Sequence, residues 1–346
     1  MYSFQNDYSE GAHPKVLKAL VDTNLEQTSG YGTDHFTTLA RHRIKDALGV
    51  TYECDIHFAV GGTQANALVI SAALRPYQCV IAADTGHINV HETGAIEATG
   101  HKVFTMPNID GKLTPALIRK AVAIHTDEHM VQPKMVYISQ TTEVGTLYSK
   151  AELTAISETC KELGLYLYVD GARMASALTA QGADVTLKDL VALTDAFTIG
   201  GTKSGAMMGE AIVLVNDALK PDFRYMIKRQ GAMYAKGRLI GIQFAALFED
   251  DLYCEIGRHE NACAMRLKEA FLRQGVKMHS DSVTNQQFPI VSPALKAELA
   301  KHYRFEQIEA LDENNIVIRF VTSFATAERE VERFESVLAS CIQNCK

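Results

Sequence analysis

"KAELTAISETCKELGLYLYVDGAR", residues 150–173, changes its hydrophobic rhythm part-way along. Leu153, Ile156, Cys160 and Leu163 recur three and four residues apart, the spacing that lines one face of a helix. Gly164 supplies the stop, because glycine takes the left-handed backbone that ends a helix. "LYLYVD" then runs apolar and ends in a carboxylate, Asp170, as a buried strand would at its mouth.

The same alternation extends in both directions, from about Asp55 to Val215. "IHFAV" (56–60), "CVIAAD" (79–84), "KMVYIS" (134–139), "DAFTIGGTK" (195–203) and "EAIVLV" (210–215) read as further strands. "GGTQANALVISAAL" reads as a buried helix between the first two. Strands alternating with helices predict an α/β fold: a mainly parallel sheet with helices on both faces. Ligands of such sheets bind at the carboxyl ends of the strands, so polar residues there are the candidates for chemistry. From about Phe244 the pattern changes to a long amphipathic helix, short strands in "NQQFPIV", "HYRFEQIEAL" and "IVIRFVTSF", and a last helix. The expected division is a large domain over 1–243 and a smaller α+β domain over 244–346.

Composition narrows the function. The chain has 346 residues, 47% hydrophobic and 22% charged, with a formal net charge of −7. That acidity argues against a nucleic-acid partner. No apolar run approaches the ~20 residues of a membrane helix, and the first residues lack a signal-peptide pattern. Seven scattered cysteines without a Cys-x-x-Cys pair suggest reduced thiols and a cytoplasmic protein.

Lys203 lies among glycine, serine, threonine and alanine in "GGTKSGA". A lysine amine, with a reference pKa of ~10.4, becomes a nucleophile only where dryness or a cationic neighbour disfavours its charge. The alternative is a loop lysine paired with a surface carboxylate. Asp170 at a strand end needs a partner, either a pyridinium nitrogen or Arg173 three residues on. "VGGTQAN" (60–66) joins a strand to a helix; its free N–H groups and the Thr63 hydroxyl could hold a phosphate, or it is a turn with a threonine cap. In "TGHINVHETGA", His87 and His91 are four apart and would share a helix face, as zinc ligands do, although no third ligand is evident. His87 could equally stack on a ring or act as acid or base. Arg319 within "IVIRFVTSF" could clamp a substrate carboxylate or form a domain–domain salt bridge.

In order, Gly-Gly-Thr, histidine, strand-end Asp, loop Lys and distal Arg resemble the pyridoxal-phosphate enzymes of the aspartate-aminotransferase fold. More closely, "GYGTD" (30–34), "GGTQAN" (61–66), "GHINVHETGA" (86–95), "VDGARMASAL" (169–178), "GGTKSGA" (200–206) and "IRFVTSFAT" (318–326) resemble the threonine aldolases, also called β-eliminating lyases, over nearly the whole chain. The resemblance implies pyridoxal 5'-phosphate in Schiff-base linkage to Lys203, Asp170 on the pyridine nitrogen, His87 stacked on the ring, and Gly62 and Thr63 on the phosphate. It also implies Arg173 at the cofactor edge and with the substrate carboxylate, Arg319 on that carboxylate, and Asn6 and Tyr31 lining the substrate site. Lys236 would reach the phosphate of a neighbouring subunit in a homodimer or homotetramer, and residues 1–15 would reach the small domain or that subunit. No metal is implied.

The sequence departs from the family pattern in places. Asn6-Asp7 stands for Ser-Asp, Thr142 stands where a second histidine is expected, "TKS" replaces "SKG", and "QGAMYAKGR" replaces "GGGMRQ". These changes resemble a divergent branch that includes phenylserine aldolases. The implied reaction is retro-aldol cleavage of a β-hydroxy-α-amino acid of the threonine, allo-threonine or phenylserine type to glycine and an aldehyde. His87, or a water it orients, would be the base. The same cofactor could instead serve β-elimination, racemisation or transamination; a zinc hydrolase on His87 and His91 and a non-catalytic binding protein are more distant alternatives.

Overall fold

The computed structural model describes residues 1–50 and 54–345. The first part of the chain comprises β1 (Tyr2–Ser3), α1 (Pro14–Asp22), α2 (His35–Leu48), β2 (Asp55–Ala59), α3 (Gly62–Ala73), β3 (Gln78–Ala83), α4 (His87–Val90) and β4 (Lys102–Met106). There follow α5 (Pro115–Ile124), β5 (Gln132–Ser139), α6 (Lys150–Leu163), β6 (Tyr166–Asp170), α7 (Met174–Thr179), α8 (Leu187–Leu193), β7 (Ala196–Gly200) and β8 (Glu210–Leu214). After α9 (Phe223–Arg229), α10 (Arg238–Leu247) and α11 (Leu252–Arg273) come β9 (Gln286–Gln287), β10 (Ile290–Val291) and α12 (Pro293–Leu299). The chain closes with β11 (Tyr303–Arg304), β12 (Glu306–Ala310), β13 (Ile316–Val321) and α13 (Glu328–Asn344).

Seven strands form one sheet in the order β2-β8-β7-β6-β5-β3-β4, and β8 alone runs against the others. Alternate strand residues enter two different cores, one on each face: Val136, Ile138, Leu167 and Val169 in one, Met135, Tyr137 and Tyr168 in the other. Burial on both faces is why these strands are apolar runs without polar alternation. Helix α6 shows its boundary chemistry plainly. Ser149 and Glu152 form a reciprocal capping box at its start, and Gly164 ends it in the left-handed region at φ 66°. Strand β4 goes unpredicted: it is an edge strand whose residues are mostly half-exposed, so the apolar signal is diluted there.

A third core gathers Phe4, Leu267, Phe271, Phe320 and Phe334 under a four-stranded sheet of β9, β10, β12 and β13. The N-terminal β1 pairs with β11 beside it. Helix α11 bridges the two regions, with Leu252, Tyr253 and Ile256 in the core of the large sheet and Leu267 to Phe271 in the third. No helix among the described residues is long and apolar enough to cross a membrane.

Candidate active site

Parallel strands bring the carboxyl ends of β2, β5, β6 and β7 to one edge, and the reversed β8 contributes its amino end there. The edge opens into a cavity of about 280 Å³. Gly62, Thr63, His87, Asp170, Arg173 and Lys203, scattered over 142 positions of sequence, all line it.

Asp170 ends β6, and its side chain is buried. Its Oδ2 accepts from the Tyr137 hydroxyl at 2.7 Å and from Asn66 Nδ2 at 3.0 Å, and its Oδ1 from the backbone of Ala172 at 2.9 Å. Arg173 is not its partner. That guanidinium turns to Asp7, donating from Nε at 2.7 Å and from Nη2 at 3.1 Å, and Asn285 Nδ2 adds a third donor to Asp7 at 2.9 Å. Burial works to raise Asp7, but Arg173 and then Lys203 outweigh it and hold the carboxyl below its ordinary value.

Lys203 follows β7 on a tight loop. Gly201 and Thr202 donate to Gly209, and Ser204 and Ala206 to Gly201. A Cβ on Gly200 would stand 2.2 Å from the Ala172 carbonyl, and one on Gly171 would stand 2.1 Å from that of Thr198. The small residues around the lysine therefore let the loops after β6 and β7 interlock. Lys203 has no carboxylate within 4.0 Å among the described residues, so the surface ion pair expected as an alternative is not formed. Burial, then Arg173, lowers the proton affinity of its amine, against Asp7, Asp170 and Glu210.

Helix α3 starts with no side-chain cap: Gly61 occupies the N-cap in extended backbone, and a Cβ at Gly61 or Gly62 would meet open space. Thr63 does not cap this helix. Its first N–H groups are left for a ligand in the cavity.

His87 opens α4, a single turn. Its Nδ1 lies 2.8 Å from Glu92 Oε1, and its backbone N–H donates to Glu143 at 3.0 Å. Glu92 Oε1 also accepts from Asn66 at 2.7 Å, so one amide joins the carboxylates of Glu92 and Asp170. The His91 ring is 5.5 Å from that of His87, and no group of three potential metal ligands forms among the described residues.

The remaining expected residues lie outside the cavity wall. Asn6 is engaged in its own turn, accepting from Tyr8 and Ser9, while the next residue but one, Tyr8, lines the cavity. Arg319 binds Glu306 across the β12–β13 ladder at 2.7 Å, so its acid is a neighbouring strand's and not another domain's. Tyr31 is half exposed, with Lys228 5.2 Å above its ring, and its N–H donates to Ala235 next to Lys236. Those two form a separate surface.

Several cavity residues escaped the sequence reading. Glu143 and Ser139 share a 2.6 Å hydrogen bond, and burial raises the Glu143 carboxyl above its ordinary value. Glu210 lines the wall beside Lys203. Tyr137 inside "KMVYIS" and Glu210 heading "EAIVLV" carried a usable signal, a polar group within an apolar strand.

The sequence profile of the beta-eliminating lyase family matches residues 7–337. The chain belongs to that family. Within it, the low-specificity L-threonine aldolase of Pseudomonas aeruginosa is 35% identical over 87% of this chain and 88% of its own length. That of a Pseudomonas species is 37% identical over the same shares. The Leishmania major threonine aldolase structure superposes with a TM-score of 0.97, at 49% identity, covering 98% of this chain and 99% of the other. A Thermus thermophilus aspartate aminotransferase, 14% identical, shares the fold with a TM-score of 0.72 over 98% of this chain and 90% of its own.

Proposed function

We propose that this beta-eliminating lyase family member is a pyridoxal-phosphate enzyme that cleaves a β-hydroxy-α-amino acid to glycine and an aldehyde. One observation carries the reading: Asp170, triply hydrogen-bonded and with no cation partner among the described residues, shares a cavity with the Lys203 amine, likewise unpaired among them, and the uncapped start of α3. Those three features fit a ring nitrogen, an aldehyde and a phosphate. The match to threonine aldolases supports the carbon–carbon lyase class.

Lys203 would hold the aldehyde carbon, Asp170 the ring nitrogen, and Gly62 and Thr63 the phosphate; the partly exposed His87 ring would stack on the pyridine. When bound, the cofactor supplies an electron sink for the carbanion left at Cα. Asp170 gives that sink its strength. A charge pair at contact distance and an effective dielectric near 20 is worth about 4 kcal/mol, roughly three pKa units for the protonated nitrogen. The Tyr137 and Asn66 donors fix the aim of the Asp170 carboxyl.

With Nδ1 held by Glu92, His87 keeps Nε2 for the cavity, where it accepts the β-hydroxyl proton directly or through a water. Arg173 is rigidly placed by Asp7, with its free edge on the cavity wall for the substrate carboxylate. Burial, then the Arg173 charge, lowers the proton affinity of Arg319, which would add positive potential for an anion beside Arg173.

The surface that carries Tyr31 and Lys236 supports a homodimer or homotetramer in which these residues complete a neighbour's cavity. The division at 243/244, with β1 crossing onto the second unit, is part of the same proposal. A cytoplasmic location is supported by the seven scattered cysteines, which form no Cys-x-x-Cys pair.

The test is direct. Native protein should show a visible cofactor band and, after borohydride reduction, a pyridoxyl group on the Lys203 peptide, while Lys203→Ala shows neither. Threonine, allo-threonine or phenylserine should release aldehyde and glycine. Release of ammonia and keto acid instead would move the reading to β-elimination or transamination, and a Lys203→Ala variant with full turnover would end it.

A further inference from the structure

Glu210 is the first residue of β8, and its partner across the ladder is Ala59, from which the chain runs through Val60 into Gly61, Gly62 and α3. The side chain is thus built into the end of the cavity where α3 begins, together with Gly61, Gly62, Thr63 and Thr202. It is buried, and its Oε2 is out of reach of solvent with no hydrogen-bond partner. No cation among the described residues comes within 4.0 Å of it.

A dry, unpaired carboxylate oxygen is costly, and one facing a bound phosphate would be repelled. A carboxylic acid in the same place is a donor with an acceptor supplied by the ligand. We propose that Glu210 serves the phosphate end of this cavity as a neutral acid, donating a hydrogen bond to the anion, so that phosphate binding is coupled to proton uptake. This rests on the pyridoxal-phosphate reading above.

The titratable groups facing Glu210 are Lys203 on the β7–β8 loop, Asp170 and Tyr168 on β6, and Tyr253 on α11. Burial pushes the Glu210 carboxyl up to about 8; Lys203 pulls it down and Asp170 pushes it further up. A phosphate dianion adds to the upward push. The bound state then holds a proton that the free state has lost above pH 8, and affinity for the phosphate falls as the pH rises.

The experiment compares two aldehydes, pyridoxal phosphate and pyridoxal, on cofactor-stripped native protein and on Glu210→Gln. Lys203 titrates against both, so the ratio of the two affinities isolates the phosphate, whose own second ionisation near ~6 is complete. In native protein the ratio should fall by up to about tenfold per pH unit above pH 8. In Glu210→Gln, which still has an N–H to donate, it should stay level with pyridoxal phosphate tightly held. Equal slopes in both proteins, or a level ratio in native protein, overturns the proposal and leaves the cofactor reading standing. If neither aldehyde binds native protein, both fall. Should Glu210→Gln not fold, calorimetry of native protein at pH 8.5 in two buffers of different ionisation enthalpy decides: pyridoxal phosphate should take up roughly three-quarters of a proton more than pyridoxal, and no difference refutes the coupling.

Discussion

Asp7 and Arg173, 166 residues apart in sequence, close a two-pronged ion pair that leaves Asp170 free of the arginine three positions along the chain. The pair is buried on both sides, and Asn285 ties it to the second sheet region. It does two things. It spares Asp170 for the ligand, and it joins the N-terminal segment, the β6 loop and the 280s segment into one wall.

Removing one partner of a buried pair strands the other's charge. Asp7→Ala should therefore lower unfolding free energy by about 3–5 kcal/mol, read from urea denaturation. Because the folded Asp7 holds its proton less tightly than the unfolded chain does, its contribution is present above the ordinary carboxylate range and disappears as pH falls below it. Acid titration of native protein against the variant should show the gap closing below about pH 4.

Asp170→Asn keeps shape and size but removes the charge. The variant should fold, bind the cofactor, and lose about 10³-fold in kcat, the equivalent of the three pKa units given above. Loss of less than tenfold would mean that the ring nitrogen is not its partner.

His87→Asn should lower kcat by about 10²–10⁴-fold, the usual worth of a positioned proton acceptor. Glu92→Gln keeps an oxygen to accept from Nδ1 and removes the negative charge beside the imidazole. Its kcat–pH profile should shift while KM changes little, which a packing defect would not produce.

Glu260 is buried beside Asp7 and Arg173 with an unpartnered Oε2, and burial, then Asp7, holds its carboxyl well above the ordinary range. The folded state keeps a proton that the unfolded chain gives up. Stability from this group is complete below the ordinary carboxylate value and declines as pH rises above it. Tm measured from pH 5 to 7.5 should fall less steeply in Glu260→Gln than in native protein.

Gly200→Ala would press a methyl group against the Ala172 carbonyl. Backbone cannot yield as a flexible side chain does, so the interlock of the β6 and β7 loops should open at a cost of at least 1–3 kcal/mol. Lower Tm together with weakened cofactor binding is expected, since Asp170 and Lys203 sit on those two loops.

The alternation of periods around residues 150–170 was enough to predict the large sheet, because strands buried on both faces have no choice but to be apolar. Edge strand β4 carries too few buried positions for such a rule to act on. Lys203, Asp170, His87 and the glycine turn were visible as single anomalies, each with an ordinary alternative open.

Sequence alone determined which chemical groups exist and which strand ends or loops carry them, since period and turn residues are local properties. Only the tertiary structure decided who pairs with whom: Arg173 with Asp7, Asn66 between Glu92 and Asp170, Glu210 at the start of α3. Those partners come from distant strands brought to one edge by the order of the sheet, and strand order leaves no trace in local hydrophobic rhythm.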